Sequence, residues 1–221
     1  MSERLLSRIG AASGIASIVL TFGGFIVHGG LPSQATAASV QTYVNGVNAS
    51  TTGLGNYLEL LGYLLFLVFA TYLHVIARTS IHDPLQWLNI LGLTAAATYV
   101  ALSGAAIAAQ QAIVEWSRTG VDARTVLGFY ILDDDAFALS FEILALFALA
   151  LGVVLWNAGR ALRIVGGAAI LAALVLFVTG MIGTMSIESS ITQVGLLLFE
   201  LWVAAVSVYL LIRPRLITRS T

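Results

Sequence analysis

The chain has 221 residues, of which 59% are hydrophobic and 10% charged, with a formal net charge of −1. A soluble domain carries about 25% charged residues, so this chain cannot cover its surface with polar groups and its solvent must be lipid. The absence of cysteine excludes a disulfide framework, a thiolate metal site and a cysteine nucleophile. The near-neutral charge, with no basic stripe, gives no reason to expect nucleic acid as a partner.

A helix needs about 20 apolar residues to cross the hydrocarbon core. Six such spans are predicted in chain order, at 9–31, 57–77, 87–114, 136–157, 164–185 and 193–212. The fold class expected is therefore all-α, a polytopic membrane protein with one six-helix bundle forming a single domain over 1–221. Span 1 follows Arg4 and Arg8. Residues 1–37 have a rival reading as a signal peptide, with Ala35-Thr36-Ala37 as a small-residue cleavage site. The apolar stretch is longer than a signal sequence needs, so a retained helix is expected. The stretch 33–56, rich in Ser, Thr, Asn, Ala and Gly, reads as a flexible surface loop; within it, Asn48-Ala49-Ser50 has the form of a glycosylation sequon. Before span 4, Asp122 is expected to cap a short helix over Ala123 to Leu132 lying on the membrane surface.

All ten basic residues are arginine, and they set the orientation. Arg4, Arg8, Arg78, Arg160, Arg163, Arg213, Arg215 and Arg219 fall on one side, against Arg118 and Arg124 on the other. Both termini are thus expected in the cytoplasm, in a multi-pass protein of the bacterial cytoplasmic membrane. Trp87, Trp116 and Trp156 sit at predicted span ends, where indole rings favour the interface.

Three carboxylates lie within the spans: Glu59, Glu142 and Glu200. A charge at the centre of a bilayer costs about 2.5 kcal/mol or more, so such groups face a bundle interior and mark candidate sites. They occupy spans 2, 4 and 6, which all run from outside to inside. Arg78 follows Glu59 by 19 residues, Arg160 follows Glu142 by 18, and Arg213 follows Glu200 by 13. At ~1.5 Å per residue the three stand roughly 28, 27 and 20 Å above the inner boundary. The pattern suggests three helix hairpins, each returning helix carrying one glutamate. His28 and Gln110, with Gln111 beside it, lie at similar outer depth. The expectation is that His28, Glu59, Gln110, Glu142 and Glu200 converge on one outward-facing pocket rimmed by Asp133-Asp134-Asp135. Glu142 and Glu200 in one dry site would share a proton.

Plainer roles weigh against each candidate. A glutamate in lipid can be a neutral acid bonded to the next helix, and Glu59, three residues into its span, can reach the headgroups. His28 can be an interfacial anchor. His74 lies near the inner end of span 2, too far from His28 to share a haem or a metal, and His82 lies in a polar inner loop. No zincin, nucleophile-elbow or phosphate-loop motif occurs, and Ser103 has no nearby base. The sequence therefore names no cofactor and no metal.

Phe129 to Asp135, Phe141 to Trp156, Arg163-Ile164-Val165-Gly166-Gly167 and Gly195 to Leu211 follow one another in an order that resembles a widespread bacterial six-helix integral membrane family classified as a domain of unknown function. The likeness covers mostly residues 129–211. It implies the six-helix topology and a cytoplasmic-membrane location, and carries no catalytic residue with it. The partners expected are the lipid bilayer and a small-molecule or cation ligand. Three functions stay open: binding or moving a small solute, proton or cation at the outer carboxylates; metal-dependent hydrolysis at the same cluster; and a non-catalytic assembly subunit with structural glutamates.

Overall fold

The computed structural model describes residues 3–29, 36–46, 48–78, 83–117, 119, 123–185 and 189–213. Seven α-helices account for nearly all of them: α1 (Glu3–His28), α2 (Ala37–Gly46), α3 (Ala49–Arg78), α4 (Gln86–Ser117), α5 (Ala123–Asn157), α6 (Arg160–Met185) and α7 (Ser189–Ile212), with one 3-10 turn at Asp83–Leu85. All but α2 are long and apolar enough to cross a membrane. The six spans expected are all present, and no strand occurs among the described residues.

The long helices close into a ring. Each packs on its neighbour in sequence, and α7 returns to α1. The three-hairpin expectation holds for α1 with α3 and for α4 with α5, but α6 leans on α5 more than on α7. Glycines explain this. In lipid, helices associate by close packing rather than by hydrophobic burial, and small residues set how near the backbones come. A Cβ on Gly152 of α5 would stand 3.0 Å from the carbonyl oxygen of Gly166 on α6. At the turn between these helices Gly159 holds φ at 128°, a backbone open to glycine and strained for other residues.

The bundle axis is filled with rings rather than left as a pore. Phe66 of α3 meets Tyr99 of α4 and Phe147 of α5 edge-on, both at 5.4 Å between centroids, and Phe199 of α7 at 5.9 Å. Each such pair contributes about 0.5–1.5 kcal/mol beyond burial. Trp202 ties α7 to α6 by donating from Nε1 to the Val165 carbonyl at 3.0 Å. Trp87, Trp116 and Trp156 are all exposed, as interfacial rings would be.

Two expectations about the connecting segments need correcting. The stretch 33–56 is not one loop: its described residues form α2 and the first turns of α3. Thr36 caps α2, its Oγ1 accepting from the Ser39 amide at 3.1 Å. Asn48 caps α3, its Oδ1 accepting from the Ser50 amide at 3.0 Å. The sequon asparagine is thus a helix cap. Nor is Ala123–Leu132 a separate surface helix. It continues without a break into α5, a helix of 35 residues and ~52 Å at 1.5 Å per residue. The hydrocarbon is ~30 Å thick, so α5 is longer than a span needs. Its Val126 and Tyr130 bury themselves with Ile113 of α4 and Val40 of α2. This second small core gives the segment a reason to continue the helix. Asp122, the expected cap, lies outside the described residues, as does His82.

Candidate functional site

The site begins with two glycines. A Cβ on Gly24 of α1 would stand 2.5 Å from the Gly55 carbonyl oxygen on α3, and one on Gly55 would meet the Gly24 carbonyl oxygen at 2.8 Å. The two backbones therefore touch at this level. One turn after each glycine along its own helix stand His28 and Glu59. His28 is the last residue of α1, because Gly29 ends the helix with φ at 78° and its amide returns to the Phe25 carbonyl at 2.9 Å.

His28 Nε2 lies 2.7 Å from Glu59 Oε1, with the side chains only 4% and 10% exposed. The other ring nitrogen, Nδ1, lies 3.3 Å from Gln110 Nε2 on α4. With that amide nitrogen facing it, Nδ1 accepts, and Nε2–H is placed to donate to the Glu59 carboxylate. Three helices thus fix one imidazole. A second strand of bonds runs beside it: Asn56 Nδ2 donates to Gln111 Oε1 at 3.2 Å, and Gln111 Nε2 to Glu115 Oε1 at 3.0 Å.

α2 covers the cluster at this end of the bundle. The Tyr43 hydroxyl approaches the Gln110 and Thr52 side chains without meeting a partner at bonding geometry among the described residues. Burial pushes its phenol above the ordinary value of 10.0. Asp133 on α5 is the inward-turned member of its run, near enough for its charge to bear on Glu59 and His28, whereas Asp134 and Asp135 are exposed.

Glu200 sits elsewhere. It lines a cavity of about 20 Å³ between α7, α1, α3 and α4, together with Ser17, Thr21, Tyr63 and Tyr99. Its Oε2 is buried without a partner among the described residues. Tyr63 lies one turn from Glu59 on α3, and both Glu59 and Glu200 act electrostatically on Tyr63 and Tyr99. The two tyrosine rings meet edge-on, 5.6 Å between centroids.

Glu142 joins neither group. It is half-buried along α6, its Cγ 3.7 Å from where a Cβ on Gly180 would stand. It shares its stripe of α5 with Leu146 and Leu149, which are 36% and 40% exposed. That face looks outward from the ring. Of the five expected residues, the structure brings together His28, Glu59 and Gln110, places Glu200 in an adjoining cavity and leaves Glu142 at the periphery. Tyr43, Thr52, Asn56, Tyr63 and Tyr99 were not anticipated. His74 is a brace: its Nδ1 lies 3.2 Å from the Asn89 carbonyl oxygen, and Asn89 Nδ2 donates to the His74 carbonyl at 3.1 Å.

Compared with protein-family models, curated proteins and solved structures, the chain matches none of them.

Proposed function

We propose that the protein is a proton- or small-cation-binding membrane protein that takes its ligand at an outer-half carboxylate pocket, with His28 and Glu59 as the responding pair. The buried 2.7 Å contact between them carries the reading. Imidazole is the side chain whose ordinary titration falls between pH 5 and 8. Taking up a proton puts a hydrogen on Nδ1, which then faces the Gln110 amide donor. Gln110 must turn its oxygen inward, and that turn reaches Tyr43 and α2. The pair is thereby a two-position device in which one proton reverses one hydrogen bond. The arginine bias supports placing this end outside, with both termini cytoplasmic, in a bacterial cytoplasmic membrane. Labelling Ser50→Cys from outside in intact cells, with Ser80→Cys protected, checks that side; Ser80 lies outside the described residues.

A metal-dependent hydrolase needs about three protein ligands on its ion. Among the described residues no three His, Asp or Glu side chains gather closely enough to hold one, so support goes to the proton and cation reading. Infrared difference spectra between pH 8 and pH 5, in lipid nanodiscs, test it. An imidazole band and a shifted amide carbonyl band are expected, both lost in His28→Gln. Spectra that His28→Gln leaves unchanged would sink the reading.

A further inference from the structure

We propose that the cavity beside Glu200 binds one small monovalent cation of sodium's class, held by the Glu200 carboxylate and by hydroxyls of α1, α3 and α4. This deepens the reading above by naming a ligand and a second site. It rests on that reading only in treating the protein as one that binds cations and protons.

The argument starts from the orphaned atom. Glu200 Oε2 is buried and unpartnered among the described residues, and an unsatisfied buried acceptor is expensive, most of all on a charged group. The cavity it faces measures about 20 Å³. About 10–15 Å³ suffices for one water-sized guest, so the cavity admits one guest and no more. Every polar residue that lines it carries oxygen: Ser17 and Thr21 from α1, Tyr63 from α3, Tyr99 from α4 and Glu200 itself. The Ser17 hydrogen is committed to the Gly14 carbonyl at 2.7 Å, which leaves its oxygen free to act as a ligand.

Carboxylate and hydroxyl oxygens are hard ligands that suit alkali and alkaline-earth ions rather than soft metals. Charge decides between those two classes. One carboxylate balances one positive charge, and a divalent ion would leave a net charge in hydrocarbon. No basic side chain lines the cavity among the described residues. The groups facing Glu200 are the phenols of Tyr63 and Tyr99, with Glu59 one turn above Tyr63; α1 offers only hydroxyls and α6 only Thr179, packed at Gly195. Either a proton or a cation must compensate the carboxylate, and the two compete. The rings of Phe66, Phe147 and Phe199 close the axis beside the cavity, so this is a binding site and not a pore.

The test uses the full chain in lipid nanodiscs at pH 8, with sodium chloride exchanged for choline chloride at constant ionic strength. Radiosodium binding should saturate at one ion per chain, and the unfolding midpoint should rise with sodium and not with choline. Ligands must be deprotonated to bind an ion, so the half-saturating concentration should climb about tenfold per pH unit once protons occupy the site. Glu200→Gln should abolish binding. Thr21→Val keeps shape and charge while removing one ligand oxygen, and should weaken binding about tenfold, the lower range for losing a supporting contact. Gly23→Ala, whose added Cβ meets nothing within 4 Å, should leave sodium binding unchanged. The infrared signature follows the imidazole and the titration follows bound sodium, so a failure of either is read separately. No saturable sodium binding to the folded wild-type protein, or binding that survives Glu200→Gln, overturns the proposal. If Glu200→Gln does not fold, the wild-type titration and Thr21→Val decide it.

Discussion

Glu59 and Glu200 have nearly the same surroundings in sequence, Leu58-Glu59-Leu60 and Phe199-Glu200-Leu201, and opposite fates in the fold. Glu59 stands at the seam of α1 and α3, where Gly24 and Gly55 let two backbones touch, and His28 arrives within 2.7 Å of it. Glu200 stands on α7, where small hydroxyls and tyrosines face it across a gap and no side chain reaches its Oε2 among the described residues. Closeness of the backbones decides the outcome. A tight crossing delivers a partner to a buried carboxylate, while a looser one leaves a cavity that a ligand can complete. The fold thus holds one acid with a side-chain partner and one whose Oε2 has none among the described residues.

The harshest way to break this comparison is to remove the partner. His28→Ala leaves Glu59 buried and unpaired, which should cost about 3 kcal/mol at pH 8. The loss should shrink at pH 5, because a protonated acid tolerates burial where an anion does not. Glu200→Gln, in choline buffer, should stay within about 1 kcal/mol of wild type, since it removes no protein contact. Unfolding in mixed micelles at the two pH values measures both. Equal costs for the two substitutions would erase the distinction between a paired and an unpaired acid.

A milder substitution acts on the cause. Gly24→Ala introduces a Cβ that would stand 2.5 Å from both the Gly55 carbonyl oxygen and Glu59 Cγ, so α1 and α3 must separate. Overpacking of this kind costs about 1–3 kcal/mol. The separation should also lengthen the His28–Glu59 contact, so the pH-dependent imidazole band should weaken with stability. Gly23→Ala, at a neighbouring position where a Cβ meets nothing within 4 Å, should do neither.

How much of this was legible in sequence follows from what hydropathy encodes. It reports burial in lipid, so the six spans could be read. Counting residues to the following arginine placed Glu59 near one end of its span, the same end at which His28 and Gln110 close theirs. Depth is only one coordinate. The other is azimuth, the face of the helix a residue occupies, and there Glu142 differs from Glu59, because its one-turn neighbour Leu146 is 36% exposed. A usable signal existed. Gly24 precedes His28 by one turn, and Gly55 precedes Glu59 by one turn, so each polar residue shares a face with a glycine that permits contact. Glu142 has Ala138 and Leu146 at the same spacing. The α2 helix was hidden for another reason. Its Ala, Ser and Thr content reads as loop, and its helix depends on the Thr36 cap and on Val40 finding Ile113, Val126 and Tyr130, a contact no local pattern announces.

The smallest effect belongs to Tyr43→Phe, and it sharpens the comparison at the outer edge. The Tyr43 hydroxyl is buried and unpartnered among the described residues, so in this respect it resembles Glu200 Oε2 rather than Glu59. Deleting an unsatisfied hydroxyl removes a desolvation penalty and keeps the ring's packing beside Val40, so stability at neutral pH should change by no more than about 0.5 kcal/mol, in the favourable direction. The pH dependence gives the sign check. Burial pushes the Tyr43 phenol above its ordinary value of 10.0, so above that pH the folded state holds a proton that the unfolded state has released. Stability then falls as pH rises for the wild-type chain, and Tyr43→Phe is spared that loss. The variant's advantage should therefore be slight between pH 6 and 9 and widen above pH 10. A variant destabilised by 1.5 kcal/mol or more at neutral pH would show instead that the hydroxyl holds Gln110 in place. In that case α2 belongs to the paired side of the comparison, as a working part of the His28–Glu59 device.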